Sequence, residues 1–300
     1  MNFEAALDSF CQAADDRRLG IEGLHVVLDD GRCAERRWIA DIRRDAFSVS
    51  KTVTSLAMGV AADEGLLTLD DPVLMHLPAL AGTAAAGSEA MTVRHLLSMT
   101  AGNGYRWLDP DADHPGDPGR DFLATPLVAE PGTTYHYAGA NSYVLGRIVH
   151  SVSGLDLREF LLPRLFGPLG IRNPQWLRCP LGFPLGAIGL QLRTSEIARI
   201  AQLLLHGGTH EDRRLVPEDY IARMTTETTE TGRAEPDNRS YGLHVWLCSR
   251  DRAWRMDGIY GQFGIMLPDQ EACVSVTAHY LGPTIDILDA VWEHIVPALM

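Results

Sequence analysis

The sequence predicts an α/β (α+β) chain, with an antiparallel sheet flanked by helices and interrupted by an α-rich segment. Short β-rich runs separated by turns lie near both ends, at 23–40 and 241–280. Apolar residues with helical spacing lie between them, most clearly over 49–60 and 194–208. We therefore expect the two ends to complete one sheet around a helical insert.

The first elements follow from local pattern. Residues 2–16 predict a helix, because their large apolar side chains fall on one face. The stretch 23–40 predicts two strands around a polar turn at 29–31. A helix is expected to start near Ser48, since the apolar residues Val53, Leu56, Ala57 and Val60 that follow recur at helical spacing.

The remaining elements divide the chain. Residues 66–182 carry helix signals, and 109–119 form a long polar loop without a packing pattern. Residues 194–208 predict a helix with a Thr/Ser start and a Gly stop. We expect a sheet domain made of 1–65 with 183–300, an α-rich domain of 66–182, and an active site in the cleft between them.

Composition limits the function classes. The chain has 300 residues, of which 46% are hydrophobic and 22% charged, as in ordinary globular proteins. The net charge of −13 argues against nucleic acid as a partner. No apolar run is long enough to span a membrane. The acidic, amphipathic N-terminus lacks the features of a signal peptide, so we expect a cytoplasmic protein.

Metal and cofactor signals are lacking in the sequence. The five cysteines are widely spaced without a CxxC pair, and the 11 histidines show no HExxH spacing. We therefore expect no metal, no cofactor and free thiols in a reducing compartment. The expected partner is a small-molecule substrate, and the oligomeric state stays open.

One lysine stands out. Lys51 is the single lysine beside 25 arginines, three residues after Ser48 at a helix start. At this spacing both side chains leave the same helix face. Unlike a guanidinium, an ammonium can lose its proton when it is desolvated, and neutral Lys51 could then activate Ser48 as a nucleophile. S-x-x-K alone is a weak motif, and a surface lysine at a chance spacing is the alternative.

Further segments resemble the serine β-lactamase and penicillin-binding-protein superfamily, with the closest similarity to its class C branch and the related esterases and nylon-oligomer amide hydrolases. The resemblance implies a β-lactamase/transpeptidase-like fold and covers almost the whole chain. The segments, in the family's order, are "SVSK", "LLTLDDPVLMHLP", "MTVRHLLSMTAGNG", "EPGTTYHYAGANSYVLGRIV", "PLGI" and "IYGQFGIMLPDQEACVSV".

The resemblance implies roles for individual residues. Ser48 would be acylated, Lys51 would be a base, and the Tyr137 phenol would relay protons. Backbone N–H groups of Ser48 and Ile259 would form the oxyanion hole. Tyr135 is the competitor to Tyr137 and is interpreted as a packing residue.

Two motifs depart from the family's pattern. Gly139 stands where asparagine is usual, and Asn141 comes two positions too late to replace it. This loss argues against β-lactam hydrolysis. Met256 replaces the basic residue that normally meets a substrate carboxylate, which favours substrates without a carboxylate at that place. Gly258 is kept, and a glycine there would let substrate approach the strand closely.

Other residues are candidates for substrate binding, each with a purely structural alternative. Asp257 could bind a substrate amine or be a solvated strand residue. Tyr260 and Gln262 could line the cleft or pack the turn. Tyr105 and Trp107 could form aromatic cleft walls or belong to the core.

Three functions follow as hypotheses. The first is a serine hydrolase that forms an acyl-enzyme on Ser48 and cleaves a small ester or amide, rather than a β-lactamase. The second is a biosynthetic acyltransferase with the same nucleophile. The third is a binding or regulatory protein on a catalytically retired scaffold. The sequence does not give the natural substrate.

Overall fold

The computed structural model describes residues 3–105, 107, 116–250 and 252–299. Most of the predicted polar loop 109–119 lies outside these residues, which resume at 116. The strands are β1 (Ile21–Leu28), β2 (Cys33–Arg37), β3 (Arg44–Asp45), β4 (Gln191–Leu192), β5 (Thr209–His210), β6 (Arg213–Arg214), β7 (Thr229–Glu230), β8 (Ser240–Tyr241), β9 (Trp246–Leu247), β10 (Trp254–Gly258), β11 (Gln262–Leu267) and β12 (Ala272–Ala278). The helices are α1 (Phe3–Asp16), α2 (Val49–Asp63), α3 (Val73–His76), α4 (Pro78–Ala81), α5 (Val93–Leu97), α6 (Pro118–Ala124), α7 (Gly139–Ser153), α8 (Leu157–Leu161), α9 (Thr194–Leu205), α10 (Glu218–Thr226) and α11 (Ile285–Ala290).

Eight strands form the main sheet, in the order β2-β1-β12-β11-β10-β9-β8-β7, and all neighbours are antiparallel. Strand β1 from the N-terminal part pairs with β12 from the C-terminal part, with Val26 opposite Val274. The prediction that the two ends complete one antiparallel sheet is confirmed.

Helices cover both faces of this sheet. One face packs against α1 and α11 through an apolar cluster that includes Phe10, Phe263 and Trp292. The other face packs against α9 and α2. Helix α2 is buried at every position from Val49 to Ala61, so it lies inside the core and not on its surface. Its first turn is thereby held in a fixed position next to the sheet.

The segment 66–182 is helical, as the sequence predicts. Among its described residues it contributes α3 to α8 and no strand of the main sheet. Helix α7 packs against α2, which joins this segment to the sheet. We retain as a proposal that 66–182 forms an inserted α-rich domain.

Local backbone geometry divides one predicted β-rich run and shapes the C-terminal helix. The β-rich run 241–248 is divided into β8 and β9, because His244 has φ +62° and turns the chain sharply. Gly242 permits this turn, since a Cβ there would lie 1.8 Å from Met224 O. The C-terminal helix continues from α11 as a π-helical turn to Ile295 and a short 3₁₀ turn.

No helix within the described ranges combines the length and the apolar character that crossing a bilayer requires.

Candidate active site

A pocket of about 320 Å³ opens beside the first turn of α2. It lies between the end of β10, the loop that joins β7 to β8, and the start of α11. The described residues that line it are Ser48, Tyr137, Arg233, Asn238, Trp246, Arg255, Asp257, Ile259, Phe263, Thr284, Ile285 and Leu288. Four of these, Ser48, Tyr137, Asp257 and Ile259, are candidates from the sequence.

Ser48 is the N-cap residue of α2, but its side chain makes no capping hydrogen bond. The preceding residue, Phe47, has φ +46°, a conformation that is costly for a bulky side chain. The carboxylate of Asp45 holds this turn, since its Oδ1 accepts the N–H of Phe47 at 2.7 Å and that of Gly189 at 2.9 Å. A fixed, unusual turn therefore presents the Ser48 hydroxyl to the pocket.

Lys51 lies under Ser48. Its Nζ donates to Ser48 Oγ at 2.7 Å and to Ala187 O at 3.1 Å, and its side chain is almost completely buried. Burial lowers the pKa of Lys51 to about 7, against the opposing attraction of Asp257 and Asp45. A large fraction of Lys51 is therefore neutral near pH 7 and can accept a proton from Ser48.

Tyr137 lies on the other side of the serine. Burial raises its pKa, while the nearby Ser48 hydroxyl acts in the opposite direction. Lys51 Nζ lies 4.9 Å from the centre of the Tyr137 ring. The ring itself is held by aromatic neighbours, with centroid distances of 5.8 Å to Tyr241 and 5.7 Å to Trp246. The phenol is thus neutral and positioned to pass protons near Ser48 Oγ.

Tyr135, the competing tyrosine, belongs to the same aromatic cluster. Its ring packs against Tyr241 and Trp246 at 5.6 and 6.3 Å. Its hydroxyl is buried and has no hydrogen-bond partner among the described residues. It does not line the pocket and has the geometry of a packing residue.

Two backbone N–H groups are available to hold an oxyanion. Within the described residues, the N–H of Ser48 and that of Ile259 donate no hydrogen bond to the protein. They belong to neighbouring segments, since a Cβ built on Gly258 would lie 3.2 Å from Ser48 N. The same Cβ would lie 2.6 Å from Ala46 O. A side chain at position 258 would therefore clash with the protein's own backbone. This is a reason for glycine there in addition to the expected close approach of substrate.

Residues 255–257 alternate between the core and the pocket, as expected for a strand. Met256 is fully buried in the core and places no group in the pocket. Asp257 faces the pocket and accepts a hydrogen bond from Arg255 Nε at 2.9 Å. Asp257 is therefore not the freely solvated strand residue that the sequence favoured, because its carboxylate is paired with a buried guanidinium.

The space that the family's asparagine would need is filled. A Cβ on Gly139 would lie 3.1 Å from the Trp107 ring and 3.2 Å from Ala187 Cβ. Trp107 also packs against Tyr143, with centroids 5.5 Å apart. Asn141 is buried and donates to Met99 Sδ at 3.2 Å, so it does not substitute for the missing amide.

Three further candidates are not brought to this pocket. Tyr105 is buried against Phe122, with ring centroids 6.4 Å apart. Gln262 is buried and donates to Ala278 O at 2.6 Å, which ties β11 to the end of β12. Tyr260 has φ +66° and stacks on His279. Their contacts are those of packing and turn residues.

The sequence missed most of the pocket wall. Arg233 and Asn238 lie on the loop between β7 and β8, and Trp246, Arg255 and Phe263 lie on strands. Because side chains alternate between the two faces of a strand, the sequence could have predicted that Arg255 and Asp257 lie on the same face of β10. The loop residues and those of α11 carry no local signal, because tertiary folding alone brings them beside Ser48.

No group of three or more His, Cys, Asp or Glu in the described part of the chain could hold a metal ion. All five cysteines are free thiols.

Two curated proteins are similar to this chain in sequence. The 6-aminohexanoate-dimer hydrolase of Paenarthrobacter ureafaciens is 25% identical over 282 residues, which cover 86% of this chain and 69% of the hydrolase. Monacolin J acid methylbutanoyltransferase of Aspergillus terreus is 32% identical over 151 residues, which cover 42% of this chain and 36% of the transferase. The match thus spans well under half of the transferase.

A solved structure shows the same fold. EstCE1, described as a hydrolase with promiscuous acyltransferase activity, superposes with a TM-score of 0.77 at 18% identity, over 96% of this chain and 99% of that chain. The family model described as "Beta-lactamase" matches residues 15–294. Since this match covers nearly the whole length, the chain belongs to the beta-lactamase family.

Proposed function

We propose that the chain is a serine hydrolase that forms an acyl-enzyme on Ser48 and cleaves a small ester or amide. The observation that carries the proposal is the 2.7 Å hydrogen bond between Lys51 Nζ and Ser48 Oγ, beneath a pocket. A nucleophile and a base within hydrogen-bond reach are the minimum for covalent catalysis. The name of the hydrolase from Paenarthrobacter ureafaciens agrees with amide cleavage.

The reaction would proceed in two steps. Ser48 Oγ attacks the carbonyl carbon and gives its proton to neutral Lys51, while the N–H groups of Ser48 and Ile259 bind the oxyanion. The carbon–oxygen or carbon–nitrogen bond then breaks, and the proton held by Lys51 passes through Tyr137 to the leaving alcohol or amine. A water molecule attacks the acyl carbon and gives a proton to Lys51. The bond to Ser48 Oγ then breaks, this proton returns to Ser48, and the acid is released.

The departures from the family's motifs favour an esterase or amidase over a β-lactamase. The position of the usual asparagine is occupied by Gly139 under Trp107, so no side-chain amide is offered to a lactam there. Met256 places no cation in the pocket. We also propose a reducing compartment such as the cytoplasm, which the five free thiols support.

The test is intact-protein mass after exposure to a fluorophosphonate and, separately, to a short p-nitrophenyl ester. Wild type is expected to gain a single adduct that Ser48→Ala does not form. The absence of an adduct on wild type would overturn the acyl-enzyme mechanism and favour a retired binding scaffold.

Acyl transfer is the second candidate, because one relative is named as a methylbutanoyltransferase. The acyl-enzyme would then react with an alcohol or amine instead of water. Product analysis with an added acceptor separates the two. If acyl transfer to the acceptor outcompetes hydrolysis at a low acceptor concentration, the result supports transfer. Release of free acid alone supports hydrolysis.

A further inference from the structure

The pocket beside Ser48 has walls of two kinds. Ile259, Phe263, Ile285 and Leu288 supply apolar surface. The lining also includes two guanidinium groups, Arg233 and Arg255, and one carboxylate, Asp257. A ligand that fills this pocket therefore meets both apolar and charged side chains.

Arg255 is fully occupied by the protein. Its side chain is 2% exposed and pairs with Asp257 at 2.9 Å. Its two terminal nitrogens donate to Asp237 O and to Asn238 Oδ1, each at 2.6 Å. Because each buried charge of the pair satisfies the other, Arg255 and Asp257 together offer a ligand little net charge.

Arg233 differs from Arg255 in its exposure and in the availability of its guanidinium for a ligand. It is exposed, and its guanidinium makes no hydrogen bond or ion pair with any described residue. Its position is fixed by the Trp246 ring, whose centre lies 4.9 Å from the guanidinium carbon. A guanidinium over an aromatic face keeps its N–H groups available to bind a carboxylate through two parallel hydrogen bonds.

We infer that the substrate of the proposed hydrolase carries a carboxylate, which Arg233 binds while an aliphatic part contacts the apolar wall. This rests on the proposed function and names its substrate class. Arg233 lies on the loop between β7 and β8, whereas Met256 occupies the position of the basic residue that is usual in the family. The substrate is thus an amphipathic ester or amide acid with its charge at the Trp246 side of the pocket.

The test compares acidic and neutral esters of equal length. With the charge on the acyl side, p-nitrophenyl hydrogen adipate is compared with p-nitrophenyl hexanoate. With the charge on the leaving side, 4-carboxyphenyl hexanoate is compared with its methyl ester. The measured quantity is the acid-to-neutral ratio of kcat/KM, corrected for spontaneous hydrolysis with Ser48→Ala.

The expected result is a wild-type preference for the acid in at least one pair, which Arg233→Met lowers about tenfold. Arg233→Lys is expected to keep part of the preference, and added salt to reduce it. The matched control is Arg213→Met, which removes an exposed arginine of β6 outside the pocket and should leave the ratio unchanged.

Two outcomes would overturn the inference, and they are distinguishable. If the neutral esters are cleaved but Arg233→Met leaves both ratios unchanged, Arg233 binds no carboxylate although the hydrolase exists. If no ester is cleaved faster by wild type than by Ser48→Ala, the proposed function fails and this inference fails with it. Thermal unfolding of each variant establishes that the compared proteins are folded.

Discussion

At the scale of single residues, Lys51 shows how burial lowers the pKa of a side chain that is normally a cation. Its ammonium would lose the hydration of bulk water, and its hydrogen-bond partners, Ser48 Oγ and Ala187 O, are both uncharged. Asp257 and Asp45 attract the cation but do not restore the ordinary pKa. An arginine at this position would stay charged, because its guanidinium does not lose a proton in proteins.

The first prediction concerns the pH dependence of acylation. Only neutral Lys51 can accept the proton of Ser48, so kcat/KM for a p-nitrophenyl ester should rise with pH and level off above the pKa of about 7. Lys51→Arg should lower kcat/KM at least about 100-fold and remove the rise. Initial rates across this pH range, corrected with Ser48→Ala, measure both effects.

The profile must be taken with an ester whose own reactivity does not change over the range. A wild-type profile that is flat between about pH 6 and about pH 9 would exclude Lys51 as the titrating base. Substantial activity of Lys51→Arg would have the same meaning, since an arginine cannot fill the role.

At the scale of elements, the site depends on how closely the end of β10 approaches the start of α2. No hydrogen-bonded ladder joins a strand to a helix start, so the approach depends on packing. Gly258 is the contact point, with Ala46 O and Ser48 N as its nearest neighbours in that direction. The distance between the two proposed oxyanion donors is therefore set by the size of this one residue.

The second prediction is that Gly258→Ala impairs both stability and catalysis. The added methyl would lie 2.6 Å from Ala46 O, so β10 must move away from α2. Overpacking of this kind costs about 1–3 kcal/mol of the free energy of unfolding, which urea denaturation measures. The same shift should lower kcat more than it raises KM, because the oxyanion is bound mainly in the transition state.

Gly82→Ala is the control, since a Cβ there has open space and no unusual backbone conformation. This substitution should change neither the free energy of unfolding nor kcat by much. Normal kcat in a destabilised Gly258→Ala would show that the approach of β10 matters for packing alone.

How much the sequence predicts also differs between elements. The antiparallel sheet, α2 and α9 are predictable because each depends on local spacing of apolar residues. Ser48, Lys51 and Tyr137 could be proposed as site residues because they lie in recognisable motifs. Arg233 and Leu288 could not be found, since they reach the pocket through loop conformation and sheet order, which no short pattern encodes.

Packing explains why Gly139 departs from the family's motif. The sequence shows the missing asparagine but not the Trp107 ring that takes its space. The two residues are 32 positions apart, as their numbers show. Only the folded chain shows that the Trp107 ring lies where a side chain at position 139 would extend.

At the scale of the whole molecule, the average charge says little about the site. The chain carries a net charge of −13, yet its pocket wall holds two arginines and one carboxylate. Net charge governs solubility and long-range attraction, whereas binding depends on the few groups within reach of the ligand. The acidic composition is therefore compatible with a substrate that is itself an anion.

The third prediction connects Lys51 to the stability of the fold. Its pKa is about 7 in the folded chain and close to the ordinary 10.5 when unfolded. Between these values the unfolded chain binds more protons, so Lys51 makes the free energy of unfolding increase as pH rises above about 7. The contribution is about 1.4 kcal/mol per pH unit at most.

Urea denaturation of wild type and Lys51→Met from about pH 7 to about pH 8.5 isolates this contribution, because other titrating groups act equally on both proteins. The upper limit avoids the buried thiols of Cys248 and Cys273, whose raised pKa values of about 11 and about 12 give the opposite slope at higher pH. Wild type should gain stability relative to Lys51→Met as pH rises. Equal slopes would mean that folding does not lower the pKa of Lys51, and the proposed proton transfer from Ser48 would then lack its physical basis.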